Sequence, residues 1–154
     1  MFDIETAGQY RNIEELKIND IRGYNLFSQK YIKYNWVDKY ETLEKAYLEE
    51  SPIISTYGRI TCISFGYLDN GIERVSSFYG DDEKDIVEKF NNLLKKIETK
   101  NFKLGGYRIL YFDIPWILHK LHKYGIKPAS IITLHNKKPW ETRIVDISDD
   151  WKIR

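Results

Sequence analysis

The apolar residues of this chain change their spacing along its length, and each spacing predicts an element. At the start, Met1, Phe2 and Ile4 flank two acids, Asp3 and Glu5, in a run that reads as the end of a strand over residues 1–6. In GRITCISFGYL, Ile60, Cys62 and Ser64 alternate with Thr61, Ile63 and Phe65. Both faces are fairly apolar, which predicts a buried strand. Asp69–Gly71 reads as a hairpin turn, with IERVSSFYG as the antiparallel partner strand. The period then becomes helical: Ile86, Val87, Phe90, Leu93, Leu94 and Ile97 share one face. Asp81, Asp82 and Glu83 sit at the front of that helix and Lys95, Lys96 and Lys100 near its end, the signs that the helix dipole favours. FKLGGY is a short strand running into glycines. A second helix starts near Asp113 with Ile117, Leu118, Leu121 and Tyr124 on its apolar face. Gly125 stops it, Pro128 lies just beyond, and a short strand follows at Arg143–Ile147.

Residues 9–57 lack such a rhythm. They are polar with scattered aromatics, and only KYETLEKAYLEESP reads as a helix, ending before Pro52. The stretch is expected to be an insertion or lid between two strands. The order strand, insertion, hairpin, helix, strand, helix, strand predicts a mixed sheet with helices on it, an α/β fold class. At 154 residues the chain is expected to form a single domain, residues 1–154, with one core.

Composition narrows the picture only a little. The net charge of +1 argues neither for nor against nucleic acid, because a local basic groove can exist on a neutral protein. The twelve Tyr, seven Phe and four Trp serve mainly as core, although unpaired bases also stack on such rings. The one cysteine, Cys62, lies in an apolar run and excludes an internal disulfide framework. No stretch approaches the ~18 apolar residues of a membrane span, and no basic-plus-apolar leader precedes the domain. No membrane partner is therefore expected, and the expected location is cytoplasmic.

The acids carry the chemistry. Residues two apart on a strand point to the same side, so Asp3 and Glu5 project together. A divalent cation would relieve their repulsion. A solvated strand end with two exposed acids is the plainer account. Asp113, after Tyr111–Phe112 and before Pro115, has its own plain account as a helix N-cap.

FDIET, with GYRILYFDIPWIL about a hundred residues further on, resembles the DEDD superfamily of 3′–5′ exonucleases. More narrowly, it resembles the proofreading exonuclease domain of family-B DNA polymerases and the stand-alone exonucleases related to it. YGRITCISFGYL, SSFYGDDEKDIVEKF and KKPWETRIVDISDDWK extend that resemblance in consistent order, least clearly over residues 9–50. It implies a ribonuclease-H-like mixed sheet with flanking helices and hydrolysis of a terminal phosphodiester by two divalent ions, Mg²⁺ or Mn²⁺. By the resemblance Asp3, Glu5 and Asp113 are the catalytic and metal-binding acids, while Thr6, Tyr107, Arg108 and Phe112 are the nucleic-acid-binding candidates. The implied partner is a single-stranded DNA 3′ end, with RNA left open, and a DNA polymerase or the replication machinery is an implied associate.

Two departures stand out. Arg108 replaces the Asn of the family's G-Y-N, and its guanidinium fork suits a phosphate; a loop Arg in solvent is the plainer account. The third motif, a Tyr or His followed by Asp on a late helix, has no match after Asp113, so a domain truncated at its C-terminus is expected. Asp146, Asp149 and Asp150 read as structural or solvent-facing. His119 and His122, three apart, read as helix-face residues, and Lys120, Lys123, Lys127, Lys137 and Lys138 as a basic rim or a solvated face. Two other functions stay open: a non-catalytic nucleic-acid binder on the same fold, and a structural or partner-binding α/β domain.

Overall fold

In the computed structural model, residues 1–100, 102–135, 137–138 and 141–148 are described. The expectations for Asp149, Asp150 and a helix after Ile147 fall outside them. The architecture is mixed α/β, in two compact units: residues 1–5 with 60–154, and residues 6–59.

A three-stranded antiparallel sheet is ordered β1 (Phe2–Gly8), β2 (Gly58–Asp69), β3 (Ile72–Tyr79), and its residues 2–5, 60–69 and 72–79 belong to the first unit. Met1 and Gly66 exchange both backbone hydrogen bonds at 2.8 Å. The β2–β3 hairpin closes with Asp69 opposite Ile72. Its two turn residues, Asn70 and Gly71, have φ of 52° and 81°. That is the two-residue turn whose twist matches the strands, and it needs residues that tolerate positive φ.

Two helices build the core of this unit. Helix α5 (Glu83–Glu98) begins where Asp82 accepts from the Asp85 N–H at 3.1 Å, and it buries Ile86, Val87, Phe90 and Leu94. Helix α6 (Asp113–Lys123) buries Ile114, Trp116, Ile117 and Leu121 and ends before Gly125, whose φ is 66°. These side chains pack with Phe2, Ile4, Ile60 and Ile63. A parallel pair, β4 (Leu104–Gly106) with β5 (Ile144–Asp146), sets Gly106 opposite Asp146.

A buried charged cluster ties α5 to α6. Glu83 accepts from the Ile60 N–H at 2.7 Å and from the Tyr124 hydroxyl at 2.5 Å. The ammonium of Lys120 lies 3.2 Å from its carboxylate and that of Lys123 3.4 Å. Burial alone would push the Glu83 carboxyl up, but those donors outweigh it and hold it below its usual range. The reading of these lysines as a basic rim or a solvated face is thereby corrected at one position. Lys120 is 1% exposed, sits over the Trp116 ring, and is committed to Glu83.

The second unit contains four helices, of which the apolar rhythm disclosed only the last: α1 (Ile13–Asn19), α2 (Ile21–Lys33), α3 (Trp36–Lys39) and α4 (Leu43–Glu50). Three of their starts are capped. Asn12 accepts from Glu15 N–H, Asp20 from Gly23 N–H and Thr42 from Lys45 N–H. Their core is small and aromatic: Phe27 meets Tyr47 and Tyr57 edge-on, at centroid distances of 5.3 and 5.0 Å, with Ile13, Leu16 and Ala46 around them. Residues 9–57, expected as an insertion, thus have a core of their own. Among the described residues no helix is long and apolar enough to cross a membrane.

Candidate functional site

Strand β1 alternates as its sequence demands. Phe2 and Ile4 are buried in the core, while Asp3 and Glu5 are exposed. The N–H of Ile4 is met by the Asp113 carboxylate, whose Oδ1 accepts from it at 3.0 Å. Asp113 is therefore not the helix cap that its position suggested. The cap residue of α6 is Phe112, which makes no side-chain cap bond, and Asp113 spends its oxygen on a strand 109 residues away.

Asp113 is 2% exposed. Its pKa is pushed up to about 6, first by burial and then by the negative charge of Asp3, with a smaller push from Asp146; the Ile4 N–H and its own N–H pull the other way. A divalent cation between Asp3 and Asp113 would relieve the repulsion that raises the Asp113 pKa. Glu5 projects on the same side of the strand as Asp3 but does not close a larger set: among the described residues no three His, Cys, Asp or Glu side chains are grouped to hold a metal ion.

The turn between β4 and α6 carries Tyr107 and Arg108, both exposed. Arg108 adopts a φ of 56°, a conformation that Asn tolerates better than Arg. The turn is pinned by Asp146. Its Oδ1 accepts from the Arg108 N–H at 2.9 Å and its Oδ2 from the Leu110 N–H at 3.1 Å. Ser148 donates to it through both backbone and hydroxyl. Burial alone would raise the Asp146 pKa, and these hydrogen bonds bring it below the usual value. Asp146 is thus a structural acid, as its sequence context suggested, and its specific job is to hold the turn. Gly106 closes the same corner: a Cβ there would lie 2.2 Å from the Ile109 Cγ2 and 2.7 Å from the Phe2 carbonyl oxygen. Only glycine allows that approach.

The remaining candidates divide. Phe112 is half-buried, its ring tilted against Trp116 at 5.7 Å, so its face is used in packing. Tyr107 and Tyr111, four residues apart, are 57% and 66% exposed. Thr6 belongs to the second unit, where its hydroxyl donates to the Pro52 carbonyl at 2.5 Å. Among the histidines, His122 is exposed and His119 half-buried. The turn-holding role of Asp146, opposite Gly106 at the end of the parallel pair, goes beyond the structural or solvent-facing reading of its sequence. No family model, curated protein or solved structure matches this chain.

Proposed function

We propose that this chain is a 3′–5′ exonuclease-type domain that hydrolyses the terminal phosphodiester of single-stranded DNA with Mg²⁺ or Mn²⁺. The observation that carries the reading is the hydrogen bond from the Ile4 N–H to Asp113. It joins the two segments on which the resemblance rests and brings Asp113 to the strand that carries Asp3, although they are far apart in sequence. The close approach of Gly106 to the Phe2 carbonyl supports a ribonuclease-H-like sheet in which β4 runs beside the free edge of β1.

In this reading Asp3 and Asp113 hold a divalent cation, with Glu5 a further donor from the same strand side. The bound cation would supply positive charge to the phosphodiester and make a bound water more acidic. The residues of the chain do the positioning. With a pKa of about 6, Asp113 is ionised at neutral pH, and the Ile4 N–H fixes the orientation of its carboxylate. Arg108 and Tyr107, on a turn pinned by Asp146, are set to meet a phosphate and a base.

The test is a 5′-labelled single-stranded oligonucleotide incubated with either metal. Stepwise shortening from the 3′ end, lost in Asp3→Ala, is the expected result. A wild-type protein inert with both metals refutes the reading. The exposed Tyr107, Arg108 and Tyr111 favour binding without cleavage as the second reading. It predicts salt-sensitive association in fluorescence anisotropy by a protein that never cuts.

A further inference from the structure

The second unit has a polar cleft of its own, with a volume of about 390 Å³. Its walls include Gly8, Tyr10, Arg11, Glu15, Ser51 and Arg59. The volume falls in the range of about 300–1,000 Å³ that holds small ligands. Two guanidinium groups, those of Arg11 and Arg59, and one carboxylate, that of Glu15, line it.

The segment bearing Arg11 is held unusually firmly for a connection between elements. Three consecutive backbone N–H groups are satisfied in turn. Gln9 donates to the Tyr57 carbonyl at 2.8 Å, Tyr10 to the Tyr47 hydroxyl at 3.2 Å, and Arg11 to Glu15 Oε2 at 3.0 Å. The Glu15 carboxylate, the one acid of the wall, therefore accepts from the segment that carries Arg11. Residue 8 is closely packed against the same segment: a Cβ there would lie 2.6 Å from the Ser51 Oγ and 3.1 Å from the Tyr10 carbonyl oxygen. A cleft whose backbone is fixed before anything binds loses little further entropy on binding.

We propose that this cleft seats a phosphate group of single-stranded nucleic acid, with Arg11 and Arg59 on the phosphate and the Tyr10 ring beside the adjoining base. A guanidinium fork matches phosphate oxygens, and a ring next to it suits an unstacked base. The choice of nucleic acid over another phosphate source rests on the nuclease reading above. The cleft lies within the second unit.

The experiment is anisotropy of a fluorescein-labelled oligothymidylate with the full chain in EDTA, where no metal-dependent cleavage occurs. Arg11→Ala is expected to weaken binding about tenfold and to flatten the salt dependence by about one phosphate contact. Arg11→Lys, which keeps the charge but not the fork, is expected to fall in between. Arg59→Ala is expected to weaken binding in the same direction, with circular dichroism to show that it folds. Wild-type affinity and salt slope in Arg11→Ala overturn the proposal, whether or not the protein cuts DNA. Inorganic phosphate that binds as tightly as the oligonucleotide also overturns it, since the cleft would then be a site for the free ion. Arg11-dependent binding by a protein inert with Mg²⁺ and Mn²⁺ upholds the cleft while the nuclease reading falls.

Discussion

Replacing Asp113 with asparagine tests the site through stability alone. The carboxylate is buried, and its pKa rises from 3.8 unfolded to about 6 folded. The folded chain therefore keeps a proton that the unfolded chain has released, and stability falls as pH rises from about 4 to about 6. At ~1.4 kcal/mol per unit, the ionised side chain costs the fold about 3 kcal/mol above that window. An amide in place of the carboxylate would keep an oxygen for the Ile4 N–H and lose only the charge. Asp113→Asn is thus expected to be about 3 kcal/mol more stable than wild type at pH 8 and equal to it below pH ~3.8. Urea unfolding followed by tryptophan fluorescence reads this as a midpoint shift of about 1–3 M at pH 8. Magnesium adds a second arm: at about a hundred times its Kd it stabilises wild type at pH 8 by ~2.7 kcal/mol and does much less for the variant. A variant no more stable than wild type at pH 8, or equally stabilised at pH 3.5, refutes the argument. Stability gained by neutralising Asp113 would mark a carboxylate held at a cost to the fold.

Other perturbations follow from the same geometry. Lys120→Met removes the buried partner of Glu83 and is expected to lower stability by about 3 kcal/mol in the same urea assay. Because the Glu83 carboxyl is held low, its contribution is present above its unfolded value of 4.5 and fades as pH falls through its lower folded value, which an acid titration by circular dichroism reads. Arg108→Gly relieves a positive φ and is expected to raise Tm slightly, by about 1 kcal/mol in stability, while weakening oligonucleotide binding. Gly106→Ala forces a Cβ against the Phe2 carbonyl and is expected to cost several kcal/mol or prevent folding, seen as loss of a cooperative melt.

The parts of the fold that were legible in the sequence are those with a strong period. Helix α5 has a dense apolar stripe and correctly signed ends, and the Asn70–Gly71 turn permits few alternatives. Helices α1 and α2 were not legible because each buries so little: Ile13 and Leu16 in one, Gly23 and Phe27 in the other. Their signal lay in the caps Asn12 and Asp20 rather than in any stripe. The Glu83–Lys120 pair was hidden for a different reason. Both residue types are normally solvated, and nothing local says that a helix will bury them together. At the site, strand alternation alone placed Asp3 and Glu5 on one side. The partner of Asp113 was not legible, since a helix-start Asp most often serves its own helix, and only the fold brings the Ile4 N–H to it.

The corner formed by Gly106 and Asp146 bears on how relatives of this chain should be compared. One residue has no room for a side chain, and the other holds a turn through two backbone N–H groups. Selection on the fold alone would freeze both positions as firmly as selection on chemistry freezes an acid. In an alignment of related chains, invariance at 106 and 146 would therefore report assembly, and under the proposed nuclease reading the informative positions would be 3, 5 and 113.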